Sequence, residues 1–384
     1  MLAMLMWPLA GPAHAEANPF YVGADLSAVH DSNVFRLKKA TSDTSYSVGL
    51  LAGLDQPIGR QRLFANVRLR ETRFQDLSRL DHTSYAINAG LDWAAIDKLS
   101  GTLSFSGADG LFNYGGTNTA QSTERNIETR SESLARIRYG SGSHLAVEAS
   151  LSHRSLRYSN PAYEASALTQ DTAGMALYYQ PSAGLRLGTG LRLSRGEYKG
   201  SGLDFDRRDI DLTATWLATG LSTLDGRFSV GRRESRGATS ALDFSGATGQ
   251  LIWTYRPTGK LLFKTAFSRE SGAESSFLDV AEAQNGSVGD ASRITNSLAV
   301  SAAYALSAKI HVDAGVRANH RSLVAGSIDG SDTLRAASLG VTYEPLRHLK
   351  FSCQVGRETR STAGSLSFGY SASSATCTAE IKLQ

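Results

Sequence analysis

The chain has 384 residues, 40 Lys and Arg against 36 Asp and Glu, and a formal net charge of +4. The basic residues are scattered rather than clustered, which argues against nucleic acid as a partner. Beyond the first fifteen residues no run of 18 apolar residues occurs, so no segment reads as a transmembrane helix. The chain opens with a short apolar run, Leu2 to Ala10, followed by Ala13-His14-Ala15, the small-x-small form of a cleavage site. Residues 1–15 are therefore expected to be a signal peptide cleaved after Ala15, with 16–384 as one unit. A buried first strand or helix is the alternative.

From residue 20 onward, apolar and polar residues alternate in stretches of about ten, the period-two pattern of a sheet with unlike faces. Leu63, Ala65, Val67 and Leu69 oppose Asn66, Arg68 and Arg70. Leu187 and Leu191 oppose Arg186 and Arg192, Phe263 opposes Lys264, and Val312 and Val316 oppose Asp313 and Arg317. Strands are expected near 20–34, 44–55, 61–74, 82–94, 99–110, 126–139, 145–157, 171–180, 185–197, 206–217, 223–235, 245–256, 261–271, 293–305, 310–321, 332–344, 349–359 and 371–383. Eight short turns alternate with nine longer polar connections, one of them at 321–332. The count is eighteen strands, with sixteen as the runner-up.

An aromatic residue recurs about every 40 residues with an aliphatic one six positions later, as in Trp93/Leu99, Tyr139/Leu145 and Tyr179/Leu185. Trp93, Tyr139, Tyr179, Trp216, Tyr255, Tyr304 and Tyr343 all fall on the apolar face at the turn end of their strands. A soluble sandwich would alternate too, and a propeller would share the period. A lipid-facing interfacial girdle predicts the register of the aromatics. The fold class is therefore all-β, a transmembrane antiparallel barrel in the outer membrane of a Gram-negative bacterium, with short periplasmic turns and outer-membrane lipid as its surroundings.

A barrel of this size leaves a lumen too wide for wall side chains to fill. The inward candidates are Arg68, Arg70, Arg130, Arg136, Arg138, Arg186, Arg192, Asp209, Asp211, Arg227, Arg233, Lys264, Asp313 and Arg317. Glu148 and a few further acids belong to the same face. The mixed signs argue against a strongly ion-selective pore. Arg130, Arg136 and Arg138 make the best basic ladder, read either as pairing with neighbouring acids or as contact with an anionic solute. Inward aromatics are few, chiefly Tyr21, Phe64 and Tyr178.

Cys353 and Cys377 stand symmetrically about Ser365 on the last two strands, so a cross-strand disulfide and two separate small residues are equally open. No His, Cys or carboxylate cluster has metal-ligand spacing, and no cofactor motif occurs. Catalytic motifs are absent, and a triad of His320 with Asp313 and one of many serines carries little information. An enzyme is not expected.

The segment after the signal ends in Asp31-Ser-Asn33-Val-Phe35-Arg36. It resembles the opening of exosortase-associated, EpsL-type exopolysaccharide-biosynthesis barrels, within a wider group of β-barrel porins. That resemblance implies a passive conduit for export or assembly of an extracellular polysaccharide, with the polymer and periplasmic export proteins as partners. A general or solute-specific diffusion porin is the alternative, and a plugged docking barrel of a secretion system a third reading. Read locally, Asp31-Ser-Asn33 can make an Asx turn that ends the first strand.

Overall fold

The computed structural model describes residues 18–95, 98–115, 122–140, 142, 144–199, 204–236, 243–272, 292–325 and 328–384. Residues 1–15, where a signal peptide is expected, lie outside them. Eighteen strands follow in chain order: β1 Phe20–Asp31, β2 Asp43–Ile58, β3 Gln61–Phe74, β4 His82–Ala94, β5 Leu99–Leu111, β6 Ile127–Tyr139, β7 Leu145–Tyr158, β8 Leu168–Ser182 and β9 Leu185–Tyr198. The second half comprises β10 Phe205–Thr219, β11 Ser222–Ser235, β12 Phe244–Thr258, β13 Leu261–Glu270, β14 Ser292–Ala305, β15 Ile310–Ala325, β16 Ile328–Leu346, β17 Leu349–Ala363 and β18 Tyr370–Leu383.

Each strand pairs antiparallel with the next, and β18 returns to pair with β1, so the sheet is closed. Closure leaves no sheet edge and satisfies the backbone N–H and C=O groups within the wall, as hydrocarbon requires. Even the shortest strand has ten residues, enough to cross a bilayer at a tilt.

The outward face is apolar and bare. Leu50, Leu151, Leu191 and Met175 are each at least 60 % exposed. A continuous belt of such residues is untenable in water. It places the barrel in an outer membrane, with lipid against that face.

The eight short turns and both ends of the barrel chain lie at one rim. At the other rim eight of nine connections are longer. The exception corrects the sequence reading: β15 runs to Ala325 and β16 begins at Ile328, so the long connection expected at 321–332 is two residues. Asp329-Gly-Ser-Asp332 looked like loop because it has no apolar face. Beyond the bilayer both faces of a strand meet water, and the alternation that signals a strand disappears. In the opposite direction, β1 stops at Asp31 rather than residue 34 because the Asx turn ends it.

Two short 3-10 turns, Ser78–Leu80 and Pro161–Ser166, lie in the long connections. Leu80 and Tyr163 from these turns are buried. Leu156, Leu168, Tyr198 and Phe205 form a compact apolar cluster on the inner wall near the same rim.

Candidate functional site

Ion pairs between non-adjacent strands identify the interior. Arg68 on β3 reaches Glu380 on β18 at 2.7 Å across the intervening β1 and β2, and Arg70 on β3 reaches Asp25 on β1, also at 2.7 Å. Arg68 also approaches Asp25, at 3.4 Å. Side chains of a closed sheet converge in this way on its concave side only. Exposed leucines such as Leu50, Leu69, Leu151 and Leu191 occupy the opposite parity of their strands.

On this interior face the wall from β6 to β11 is distinctive. Its inward positions hold nine arginines, at 130, 136, 138, 154, 186, 192, 207, 227 and 233, against six carboxylates. The other strands carry about as many inward acids as bases. The two signs that look mixed along the chain are thus partly sorted by wall, which only the ring order of strands reveals.

Just inside the short-turn rim, two arginines share one carboxylate and a third lies on the neighbouring tyrosine ring. Arg138 donates from Nε to Glu148 at 2.9 Å, and Arg136 lies 3.7 Å from the same group. Glu148 is almost fully buried. Tyr178 donates its hydroxyl to Glu148 at 3.5 Å. The Arg186 guanidinium stacks on the Tyr178 ring, 3.9 Å from its centroid, and Arg138 approaches that ring at 5.3 Å. Stacking holds a guanidinium plane while leaving its N–H edge free to bind an anion.

Gly188 makes this stack possible. It lies directly opposite Tyr178 across the β8–β9 pair. A Cβ there would sit 2.6 Å from the Tyr178 ring, so any side chain would force the ring off the sheet. The arrangement repeats near the other rim, where Phe205 lies opposite Gly196 and Arg233 stacks on Phe205 at 4.0 Å. Sequence reading noted Tyr178 but missed both stacks. Their signal is an inward glycine facing an aromatic on the next strand.

Between the two stacks lies a buried charge network. Arg192, 1 % exposed, contacts Asp209 at 3.3 Å and Asp211 at 3.1 Å. Arg207 pairs with Asp209 at 2.8 Å and donates to Ser271 Oγ at 2.7 Å. Ser229 donates to Asp211 at 2.6 Å. These charges are consumed in pairing and brace the wall. Removing one partner from such a pair costs about 3–5 kcal/mol. Arg227, opposite Thr213 and Gln250, is buried beside them.

The other inward candidates are dispersed. Arg130 pairs with Glu128 on its own strand. Lys264, Asp313 and Arg317 point into the interior from β13 and β15, away from the β6–β11 wall. His320 cannot join Asp313 in a triad. The two lie on one strand with opposite parity, and His320 is on the outer face against Thr333 at 3.0 Å.

The Asp31–Arg36 motif forms a latch at the long-loop rim. Asn33 donates its backbone N–H to Asp31 Oδ1 at 2.8 Å, the Asx turn. Its side-chain amide donates to the Leu37 and Ser371 carbonyls at 2.8 and 3.0 Å. Arg36, with φ of 54°, bridges Asp31 and Glu358. Phe35 packs edge-on against Tyr114 at 5.3 Å. Tyr114 donates to the Glu124 carbonyl, and burial pushes its hydroxyl up to about 12, so it stays protonated. The motif therefore fastens the first long connection to β17, β18 and the third.

Of the seven candidate girdle aromatics, Tyr139, Tyr179, Trp216, Tyr304 and Tyr343 are more than 40 % exposed on the outer face near the short-turn rim. Trp93 is partly covered, and Tyr255 stacks on Trp253 at 5.5 Å. Cys353 and Cys377 are direct partners in the β17–β18 register and form a disulfide on that face.

No protein-family model matches the chain, and no curated protein matches it. Solved structures do. The outer membrane protein OpdK of Pseudomonas aeruginosa aligns with a TM-score of 0.52 and 12 % identity, over 95 % of this chain and 99 % of that one. OpdO of the same organism gives 0.52 and 14 % over 95 % and 97 %. OccAB4 of Acinetobacter baumannii gives 0.50 and 13 % over 96 % and 99 %. At such identities the likeness is one of fold, that of outer-membrane porin barrels.

This overturns the exopolysaccharide resemblance, and with it the polysaccharide-export reading: the matching barrels are Opd and Occ porins. The motif that suggested otherwise is a loop latch, and a latch of hydrogen bonds at the end of a first strand carries no information about cargo. The polymer and periplasmic export partners fall with that reading, while the diffusion-porin alternative stands.

Proposed function

We propose that the protein is a diffusion porin that passes small, negatively charged solutes along the β6–β11 wall. The single observation that carries this reading is the cluster of Arg136, Arg138 and Arg186 around one carboxylate, Glu148. Three guanidinium groups against one acid leave local positive charge facing water. Arginine edges match carboxylate geometry bidentately, and a lumen lined by one sign concentrates the opposite ion. Tyr178 adds an aromatic surface beside the cluster, suited to a solute that joins a ring to a carboxylate. OpdK, whose barrel this one resembles, has been crystallised with vanillate, a molecule of that chemistry.

The test is conductance of the purified barrel in a planar bilayer under a KCl gradient, together with swelling of proteoliposomes in benzoate and in a neutral sugar. Anion preference and faster entry of benzoate are expected. Arg136→Gln/Arg138→Gln/Arg186→Gln should abolish the preference while leaving sugar entry within about twofold. A cation-selective wild-type pore, or a triple variant with unchanged ion preference, would reject the reading.

A further inference from the structure

Outside the barrel, arginines project from the long-loop ends of several strands. Some have an acid beside them on the same strand. Arg73 contacts Glu71 at 2.7 Å, Arg232 contacts Glu234 at 2.9 Å and Arg195 contacts Glu197 at 3.5 Å. Arg335 on β16 and Arg357 on β17 have no such neighbour. Both are exposed, and both have outward parity. Among the described residues, the outward positions of β15 to β18, β1 and β2 carry one carboxylate, Asp329. It lies six residues further along β16, roughly 20 Å away at the rise of a strand.

The register brings the two cations together. Arg335 faces Thr359, and Arg357 faces Ala337, so the arginines are diagonal neighbours across β16 and β17. Diagonal positions on one face lie about 7–8 Å apart, within reach of long side chains. Arg357 also faces Ser373, and Thr359 faces Ser371. Two like charges thus stand side by side, ringed by hydroxyls, with no acid among the described residues of this face close enough to relieve the repulsion.

Their height in the membrane says what can relieve it. Tyr343, on the same face of β16, marks the short-turn rim. Arg335 lies eight residues above it, roughly 26 Å along the strand and about 20 Å across the bilayer at a typical tilt. Exposed Leu339, Val341 and Val355 lie directly below. The guanidinium groups therefore emerge near the top of the roughly 25 Å apolar band, where outer-leaflet head groups begin.

We infer that Arg335 and Arg357 form a binding site for a phosphate group of an anionic outer-leaflet lipid, with the neighbouring Thr359 and Ser373 hydroxyls as additional donors. Phosphate is the anion that a lipid surface presents at this height, and paired arginine forks are suited to it. The inference rests on the barrel's place in the membrane and is independent of what passes through the lumen.

Native mass spectrometry of the detergent-solubilised barrel, titrated with diphosphoryl lipid A, tests it. The wild type should retain the lipid, discriminate against lipid A stripped of its phosphates, and not be competed by inorganic phosphate. Arg335→Gln/Arg357→Gln should bind about tenfold more weakly, a change of about 1.4 kcal/mol. Arg195→Gln/Arg232→Gln, which removes acid-paired arginines, should bind as the wild type does. Mobility of unboiled samples on gels establishes that each variant is folded. Equal binding by the Arg335/Arg357 variant, equal uptake of the dephosphorylated lipid, or displacement by inorganic phosphate would each overturn the inference. The last two outcomes read on the wild type alone, so they decide the matter even if the variant does not fold.

Discussion

The Arg186 guanidinium lies 3.9 Å from the centroid of the Tyr178 ring, on the inner face of two neighbouring strands. This contact converts a flexible cation into a fixed one at the short-turn rim of the lumen. It depends on a glycine that neither residue touches in sequence, Gly188, whose missing side chain lets the ring lie against the sheet. Substituting Gly188→Val should displace Tyr178 and free Arg186. Benzoate entry into proteoliposomes should fall about as far as it does in Arg186→Gln, with barrel folding retained on unboiled gels. Undiminished entry would show that stacking is not what positions the arginine.

Glu148 is the acid that Arg136 and Arg138 contact beside the stacked Arg186. Glu148→Gln removes a negative charge and leaves the three cations unopposed. Anion preference should therefore rise, read as a larger reversal potential in the KCl gradient. A fall in preference would mean that Glu148 acts by holding the arginines in place rather than by cancelling them.

Cys353 and Cys377 close a hairpin with a sequence separation of 24. In chain-entropy terms a bridge of that span contributes about 2–4 kcal/mol. Protein matured in the periplasm should show a reducible intramolecular link, because that compartment is oxidising. Cys353→Ser/Cys377→Ser should still insert but unfold at lower urea. An unchanged midpoint would show that the closed barrel already holds this hairpin.

Asp81 accepts the Phe74 backbone N–H at 2.7 Å and contacts Arg73 at 3.2 Å in the connection between β3 and β4. The Phe74 bond, then Arg73, holds its carboxyl below the usual carboxylate range. A depressed folded-state pKa stabilises above the unfolded value near about 4, and this contribution disappears as pH falls through the folded value. Hydrogen exchange at the Phe74 amide should therefore accelerate on acidification below about pH 4, relative to the intrinsic rate. In Asp81→Asn that pH dependence should vanish. Its persistence would assign the acid response to another group.

Asn33 is 1 % exposed and ties the first long connection to Leu37 and Ser371. Asn33→Ala leaves those carbonyls without their partner, a cost of about 1–3 kcal/mol. The connection at 34–42 should become susceptible to added protease while the strands remain protected. Resistance equal to the wild type would show that Phe35 and Arg36 suffice to hold it.

The N-terminal segment carries its own expectation. Mature protein isolated from outer membranes should begin at Glu16, as Edman sequencing would read directly. A retained Met1 would make the apolar run a part of the folded protein.

Much of the fold was legible in one dimension because a membrane barrel imposes a local rule. Each strand crosses lipid on one face and water on the other, so alternation at Leu187, Leu191 and Arg192 reports facing without knowledge of any neighbour. The girdle aromatics mark where the rule begins, which is why the count of eighteen strands could be read. The rule ends at the bilayer surface, and there the reading failed: the long ends of β15 and β16 have water on both sides and no alternation. The site was legible as a set of residue types, but its organisation was not. That Arg136, Arg138 and Arg186 gather on one acid, that an aromatic lies on Gly188, and that the Asp31–Arg36 segment is a latch all depend on which strands adjoin around the ring. Sequence periodicity determines which way a side chain points. Only closure of the sheet decides what it meets.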